Sequence, residues 1–161
     1  MDILKLIKQR RSIRAYTSQE ISQTALQQIL EAGMNAPSAK NLQPREFVVV
    51  QDKQLLEKLS EVKTNAYMVK GSAATIVVGM HNTSNFYQQD TGACMQNMML
   101  TATDLGIGSC RIGIHAEQEQ YIRDLLGIPE HIRIPCLLAL GYPNEEKRSN
   151  NHFFVDKVHH N

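Results

Sequence analysis

Arg10-Arg11-Ser12-Ile13-Arg14-Ala15-Tyr16 sets three guanidiniums and a hydroxyl within five residues. Arginine is charged at every working pH and presents a planar fork of N–H donors that fits phosphate oxygens. Three such groups this close repel one another unless an anion sits among them. Two readings follow. One is an anion site, most naturally for a phosphorylated ligand. The other is an exposed cationic cluster against the negative pole of a preceding helix. Such a helix is predicted from a cap at Asp2 through about Gln9, with Ile3, Leu6 and Ile7 on one face.

Downstream, Ser22 caps a second predicted helix, with Ile21 and Leu26 spaced as a hydrophobic staple and Leu26, Ile29, Leu30 and Met34 continuing the apolar stripe. Ala36 precedes Pro37, which disfavours helix there. Ala36-Pro37-Ser38-Ala39-Lys40-Asn41-Leu42-Gln43-Pro44 is a loop by composition: either a surface connector, or a reader of a heterocycle edge, since amides offer both donor and acceptor. Buried strands are predicted at 46–50, 75–80 and 134–141, and Asp52 caps a helix carrying Leu55, Leu56, Leu59 and Val62. The longest predicted helix, about 84–105, is rich in Ala93, Cys94, Met95, Met98, Met99 and Ala102, a pattern of core or subunit interface. The segment 106–113 is glycine-rich without the spacing of a Walker loop or dinucleotide fingerprint. A short helix at 117–126 follows. Phe153-Phe154-Val155 is an apolar stripe near the end that needs a packing partner, on this chain or a neighbour. Strands separated by uneven numbers of helices predict a central sheet covered on both faces.

The totals exclude several classes. A chain of 161 residues fits one domain. Net charge +1, from 17 Lys+Arg against 16 Asp+Glu, argues against a dedicated nucleic-acid binder. No apolar run is long enough to span a bilayer, and the start lacks the features of a signal peptide. Cys94, Cys110 and Cys136 have no metal-type spacing and read as reduced core residues, which points to a cytoplasmic setting. The six histidines are scattered, no Ser-His-Asp or Cys-His pairing is evident, and no metal is expected. The carboxylates, Asp90 included, read as caps and solvated faces.

Four segments in order resemble the FMN-dependent nitroreductase family in its short, single-domain form. They are Arg10 to Arg14 with Tyr16; Ile29-Leu30-Glu31-Ala32-Gly33 running into the loop through Pro44; Asp90 to Asn97 leading into Leu105-Gly106-Ile107-Gly108-Ser109-Cys110; and Leu140-Gly141-Tyr142-Pro143. The resemblance implies one FMN-binding domain over 1–161. Its expected fold is α+β and three-layered: a central, mostly antiparallel sheet flanked by helices, in an intertwined homodimer whose tail, about 144–161, packs on the partner. It implies that Arg10, Ser12 and Arg14, with Arg11 beside them, hold the ribityl phosphate and ring edge. Pro37, Ser38, Ala39, Asn41 and Gln43 belong to the loop that reaches the flavin from the other subunit. The backbone at Ile112 and Gly113 is expected near flavin N5, and Lys147 or Arg148 on the phosphate. Arg45 and Arg111 stand where the family often carries aromatic residues. They read either as selectors of an anionic substrate or a phosphorylated pyridine nucleotide, or as solvated surface arginines.

The activity implied is oxidoreduction: NAD or NADP in reduced form delivers hydride to flavin N5, and a nitroaromatic, quinone or related acceptor then takes it at the same site. No side chain is expected to act as a catalytic residue, and no fingerprint separates NADH from NADPH. The competing readings are an FMN-binding redox-sensing or flavin-storage module with little turnover, flavin fragmentation or dehalogenation on the same fold, and an RNA- or phosphate-binding protein.

Overall fold

The computed structural model describes residues 2–82 and 85–160. Its elements are α1 (Ile3–Gln9), α2 (Gln23–Met34), β1 (Arg45–Val50), α3 (Lys53–Ser60), β2 (Ala74–His81), α4 (Tyr87–Asp104), β3 (Gly108–Gly113), α5 (Ala116–Leu126) and β4 (Ile132–Gly141). Short 3-10 segments lie at Ala39–Asn41, Thr64–Gly71 and Val155–Lys157. The expected caps are in place. Asp2, Ser22 and Asp52 accept from the backbone N–H groups of Leu4, Ala25 and Leu55, satisfying donors that the first helical turn leaves unpaired. The predicted start of the long helix at Ser84 lies outside the described residues; the described helix begins at Tyr87.

The four strands form one antiparallel sheet in the order β1-β2-β4-β3. The glycine-rich segment, to which no strand is assigned above, carries the edge strand β3, paired with β4 from Gly108 opposite Gly141 to Gly113 opposite Cys136. Glycine weakens the strand signal in a sequence, yet marks places where another backbone comes close. Because side chains alternate along β2 and β4, each strand feeds two cores. Ile76, Val78, Leu138 and Leu140 pack on one face with Leu26 and Ile29 of α2 and Met95 and Met98 of α4. Val77, Leu137 and Ala139 pack on the other with Leu56 and Leu59 of α3 and Ile122 of α5. Covering both faces explains why β2 is almost wholly buried and reads as a continuous apolar run.

The arginine segment lies along the outer edge of β3. The Ile13 N–H donates to the Ser109 carbonyl at 2.9 Å, Ser12 bridges Ser109 in parallel, and Thr17 N–H donates to the Tyr142 carbonyl at 2.9 Å. Two glycines make room for it. A Cβ on Gly108 would stand 2.8 Å from Ile13, and one on Gly141 would stand 2.7 Å from the Tyr16 ring. By contrast α1 buries none of its residues: Ile3 is 69% exposed and Ile7 also faces outward, as do Phe153, Phe154 and Val155 of the tail. Among the described residues, the apolar face expected of α1 is therefore largely uncovered, with only Leu6 half-buried.

Gly141→Ala is expected to lower stability by about 1–3 kcal/mol, because the ring of Tyr16 must move to admit a methyl group. Gly92→Ala on α4, where a Cβ meets nothing within 4 Å, should be neutral or stabilising by up to about 1 kcal/mol. Urea unfolding of both variants checks the pair; equal midpoints would contradict the packing of Tyr16 on β4.

Candidate functional site

The segment Arg10 to Tyr16 meets the chain's last polar stretch at β3. Lys147 Nζ donates to the Ser12 carbonyl at 2.6 Å and pairs with Glu145 at 3.3 Å. Glu145 Oε1 accepts the backbone N–H groups of Arg14 at 2.5 Å and Ala15 at 3.3 Å. These bonds favour the ionised form, the Arg14 N–H most, and hold the Glu145 carboxyl below the usual range. Arg11 turns to the tail, donating to the Arg148 carbonyl and to Asn150 Oδ1. The side chain of Arg148 is exposed and makes no hydrogen bond among the described residues. So the backbones of Ser12 and Arg14 come together with Glu145 and Lys147, whereas Arg11 and the Arg148 carbonyl fasten the tail. The Arg10 guanidinium has no protein partner among the described residues, and Arg14 reaches only the Cys110 thiol. Lys147 and Arg14 at one carboxylate, with Arg10 four residues before Arg14 in the same segment, leave the segment net positive.

The loop after α2 is gripped from two sides. Arg45, only 9% exposed, donates to the carbonyls of Met34 at 2.6 Å and Ala36 at 2.7 Å, with longer contacts to Gly33 and Pro37. This corrects both readings of Arg45 above: it is a buried cap on the C-terminal end of α2, neither a substrate selector nor a surface group. A cation there satisfies orphan carbonyls and the negative helix pole. Asp90 of α4 is 5% exposed, so it is no solvated carboxylate. Its Oδ1 accepts the Ala39 N–H at 3.0 Å, while its Oδ2 is buried without a partner among the described residues. Ser38 Oγ accepts the Gln43 N–H at 2.9 Å, and Gln43 Nε2 donates to Asn41 Oδ1 at 3.2 Å. Lys40, Asn41 and Gln43 all take left-handed backbone, at φ 54, 54 and 48°. Pro37, Asn41 and Gln43 stand exposed at its surface.

Strand alternation sends Cys110 and Ile112 into the second core and Arg111 and Gly113 to the α4 side. Ile112 therefore faces that core and pairs with Leu137 of β4, and Gly113 next to it is exposed. Gly113 borders a cleft of about 400 Å³ between α4 and the start of α5, with Tyr87, Thr91, Arg111 and Arg133 in its walls. Beneath it Glu119 accepts from Arg123 and from Arg133. Reading the sequence missed this trio. The Glu119/Arg123 spacing of four was a visible signal of a helical ion pair, but not of its burial.

The three cysteines are free and buried. Burial pushes the thiols of Cys94 and Cys136 up to about 11 and about 12, so neither is a nucleophile. Burial likewise raises the Tyr16 phenol, whose O–H donates to the Ile13 carbonyl at 2.6 Å. Tyr16 thus stiffens the arginine segment rather than moving protons.

FMN joins a phosphate dianion to a flat ring through a ribityl chain, and the donor set suits it. Arg10, without a partner among the described residues, and Arg14, held only by a thiol, belong to the segment at the start of β3; at its far end a Cβ on Gly113 would meet nothing within 4 Å, which leaves room for a ring while the Gly113 carbonyl accepts from Lys63 Nζ at 2.9 Å. Among the described residues no helix is long and apolar enough to cross a membrane.

The family described as Nitroreductase family matches the chain over residues 7–82 and 60–142. A protein of Archaeoglobus fulgidus, provisionally named NADH dehydrogenase/NAD(P)H nitroreductase, is 40% identical over 168 aligned positions, covering 98% of this chain and 97% of its own. Among solved structures, an FMN-dependent nitroreductase of Clostridium difficile superposes with a TM-score of 0.94 at 33% identity, covering 98% of each chain. A provisionally named nitroreductase of Desulfovibrio desulfuricans, solved in complex with FMN, superposes with a TM-score of 0.86 at 30% identity, covering 100% of this chain and 97% of that one.

Because the Glu145 pKa is lowered in the folded state, its contribution to stability is complete above the ordinary value of 4.5 and fades as pH falls through the lowered one. Glu145→Gln should therefore be less stable near neutrality and show a shallower loss on acidification. Urea midpoints between pH 3 and pH 7 check this; parallel profiles would contradict it.

Proposed function

The chain belongs to the nitroreductase family, and from that premise we propose that it is an FMN-dependent oxidoreductase driven by NAD(P)H and built as a homodimer. The observation that carries the reading is the net-cationic segment Arg10 to Arg14, clamped through its backbone to Ser109, Glu145 and Lys147 at the start of an edge strand whose other end, Gly113, has room for a ring. From Ser109 to Gly113 the strand rises about 13 Å, a span suited to a ribityl chain between phosphate and ring.

In this reading bound FMN supplies the hydride relay that no side chain here can perform. Arg10 and Arg14 bind the phosphate and ring edge, helped by Ser12 and Lys147. Arg11 and Arg148 hold the tail that carries Lys147. The backbone N–H of Gly113, next to Ile112, orients the ring at N5. Pro37, Ser38, Ala39, Asn41 and Gln43 of a second copy close the other side. This agrees with the exposed apolar face of α1 and with Phe153, 77% exposed, both of which a partner would cover. The opening beside Gly113 admits a reduced nucleotide and then a nitroaromatic, quinone or related acceptor in turn.

The purified protein should take up FMN and show a flavin absorption spectrum that NADH or NADPH bleaches within seconds and an added nitro compound restores. Failure to bind FMN would overturn the reading, and binding with very slow bleaching by both nucleotides would favour the sensing or storage module. Arg10→Ala is expected to weaken FMN binding by roughly 1.5–3 kcal/mol, the loss of one charge-assisted phosphate contact, measured by fluorescence titration.

A further inference from the structure

The cleft beside Gly113 holds more positive charge than its own carboxylate answers. Glu119, 6% exposed, is approached by Arg123 Nη2 at 3.0 Å and by Arg133 through Nε at 3.0 Å and Nη2 at 2.9 Å. Arg123 spends its other donors on the carbonyls of Pro129 at 2.6 Å and Ile132 at 2.7 Å and is buried behind the wall. One carboxylate against two guanidiniums leaves one charge over. Arg111, exposed on the same cleft and without a hydrogen bond from its side chain among the described residues, adds a second.

Arg133 is fixed before any ligand arrives. Glu119 holds it from below, and the Tyr87 ring lies against it at 5.4 Å. Those bonds use Nε and Nη2, and the two N–H donors of Nη1 make no hydrogen bond among the described residues. A guanidinium already ordered gives up little freedom on binding, and it suits carboxylate and phosphate geometry. We infer that this cleft takes an anionic oxygen group, a carboxylate or a phosphate, carried by the molecule that reacts at the flavin. Arg133 is its rigid half and Arg111 its mobile half. The inference rests on the flavin reading for what happens at Gly113, while the charge and geometry of the cleft stand without it. Two sources share this chemistry: the phosphates of the reduced pyridine nucleotide and an acidic substituent on the acceptor.

The test uses the FMN-loaded protein and its Arg111→Gln variant. Flavin bleaching is followed with NADPH and NADH against the uncharged donor 1-benzyl-1,4-dihydronicotinamide. Flavin reoxidation is followed with 4-nitrobenzoate against nitrobenzene. Arg111→Gln should raise the half-saturating concentration of a charged partner by about tenfold, the value of one charge-assisted contact, and leave its uncharged counterpart within about twofold. Loss confined to the nucleotides assigns the cleft to their phosphates, and loss confined to 4-nitrobenzoate assigns it to the acceptor. Equal behaviour of charged and uncharged partners in both arms would overturn the inference. Arg133→Lys, which keeps the charge but not the fork, should reproduce the loss in milder form. Inorganic phosphate titrated into the flavin-free protein should shift the Arg133 Nε–H resonance in wild type more than in Arg111→Gln. That readout separates failure of the cleft from failure of the flavin reading, and the absence of any shift counts against the cleft alone.

Discussion

The contact on which this architecture depends is the close seating of the segment Arg10 to Tyr16 on the β3–β4 edge. It requires hydrogen atoms where Gly108 and Gly141 stand, because Ile13 and Tyr16 occupy the space of any Cβ. Once seated, the segment is clasped from both sides by backbone bonds to Ser109 and Tyr142 and from above by Glu145 and Lys147. Mutually repelling arginines are thereby held in one segment by bonds to their own backbone; Arg11 is spent on the tail, while Arg10 has no partner among the described residues and Arg14 reaches only a thiol. A cluster that merely decorated a helix end would not need a strand edge, a buried phenol and a distant carboxylate to keep it in place.

A second constraint acts on the loop after α2. Three residues other than glycine sit in left-handed backbone there, an arrangement that costs about 1–2 kcal/mol for each unsuited residue. It persists because Arg45 holds the carbonyls at one end, Asp90 holds an N–H in the middle, and Ser38 closes the turn on Gln43. A buried cation and a buried carboxylate, each gripping backbone rather than the other, give the loop one shape. A loop with one shape is what a binding surface requires, since ordering it on contact would weaken the complex.

Much of this was legible in the residues. The caps at Asp2, Ser22 and Asp52, the apolar runs of β1, β2 and β4, and the order of the four motifs point to a sheet covered on both faces and to the family. Two kinds of feature were not legible. β3 was hidden because its glycines and Arg111 lower the strand signal, and only pairing with β4 makes it a strand. The burial of Arg45, Asp90 and Glu119 was hidden because a charged residue looks the same in a sequence whether it is solvated or paired inside. Composition placed Arg45 at a surface; the carbonyls that end α2 decide otherwise. Arg111 faces the cleft together with Arg133, which no local pattern links to it because it arrives on a different strand.

The central claim is that the amino-terminal arginines hold a phosphate. It is tested most directly by comparing the affinity of the protein for FMN with its affinity for riboflavin, which lacks only that group, in wild type and in the Arg10→Ala/Arg14→Ala double variant. The account predicts that wild type prefers FMN by roughly a hundredfold or more at low salt and that the preference largely disappears in the double variant. Equal affinity of wild type for the two flavins, or a preference that survives the loss of both arginines, would contradict it.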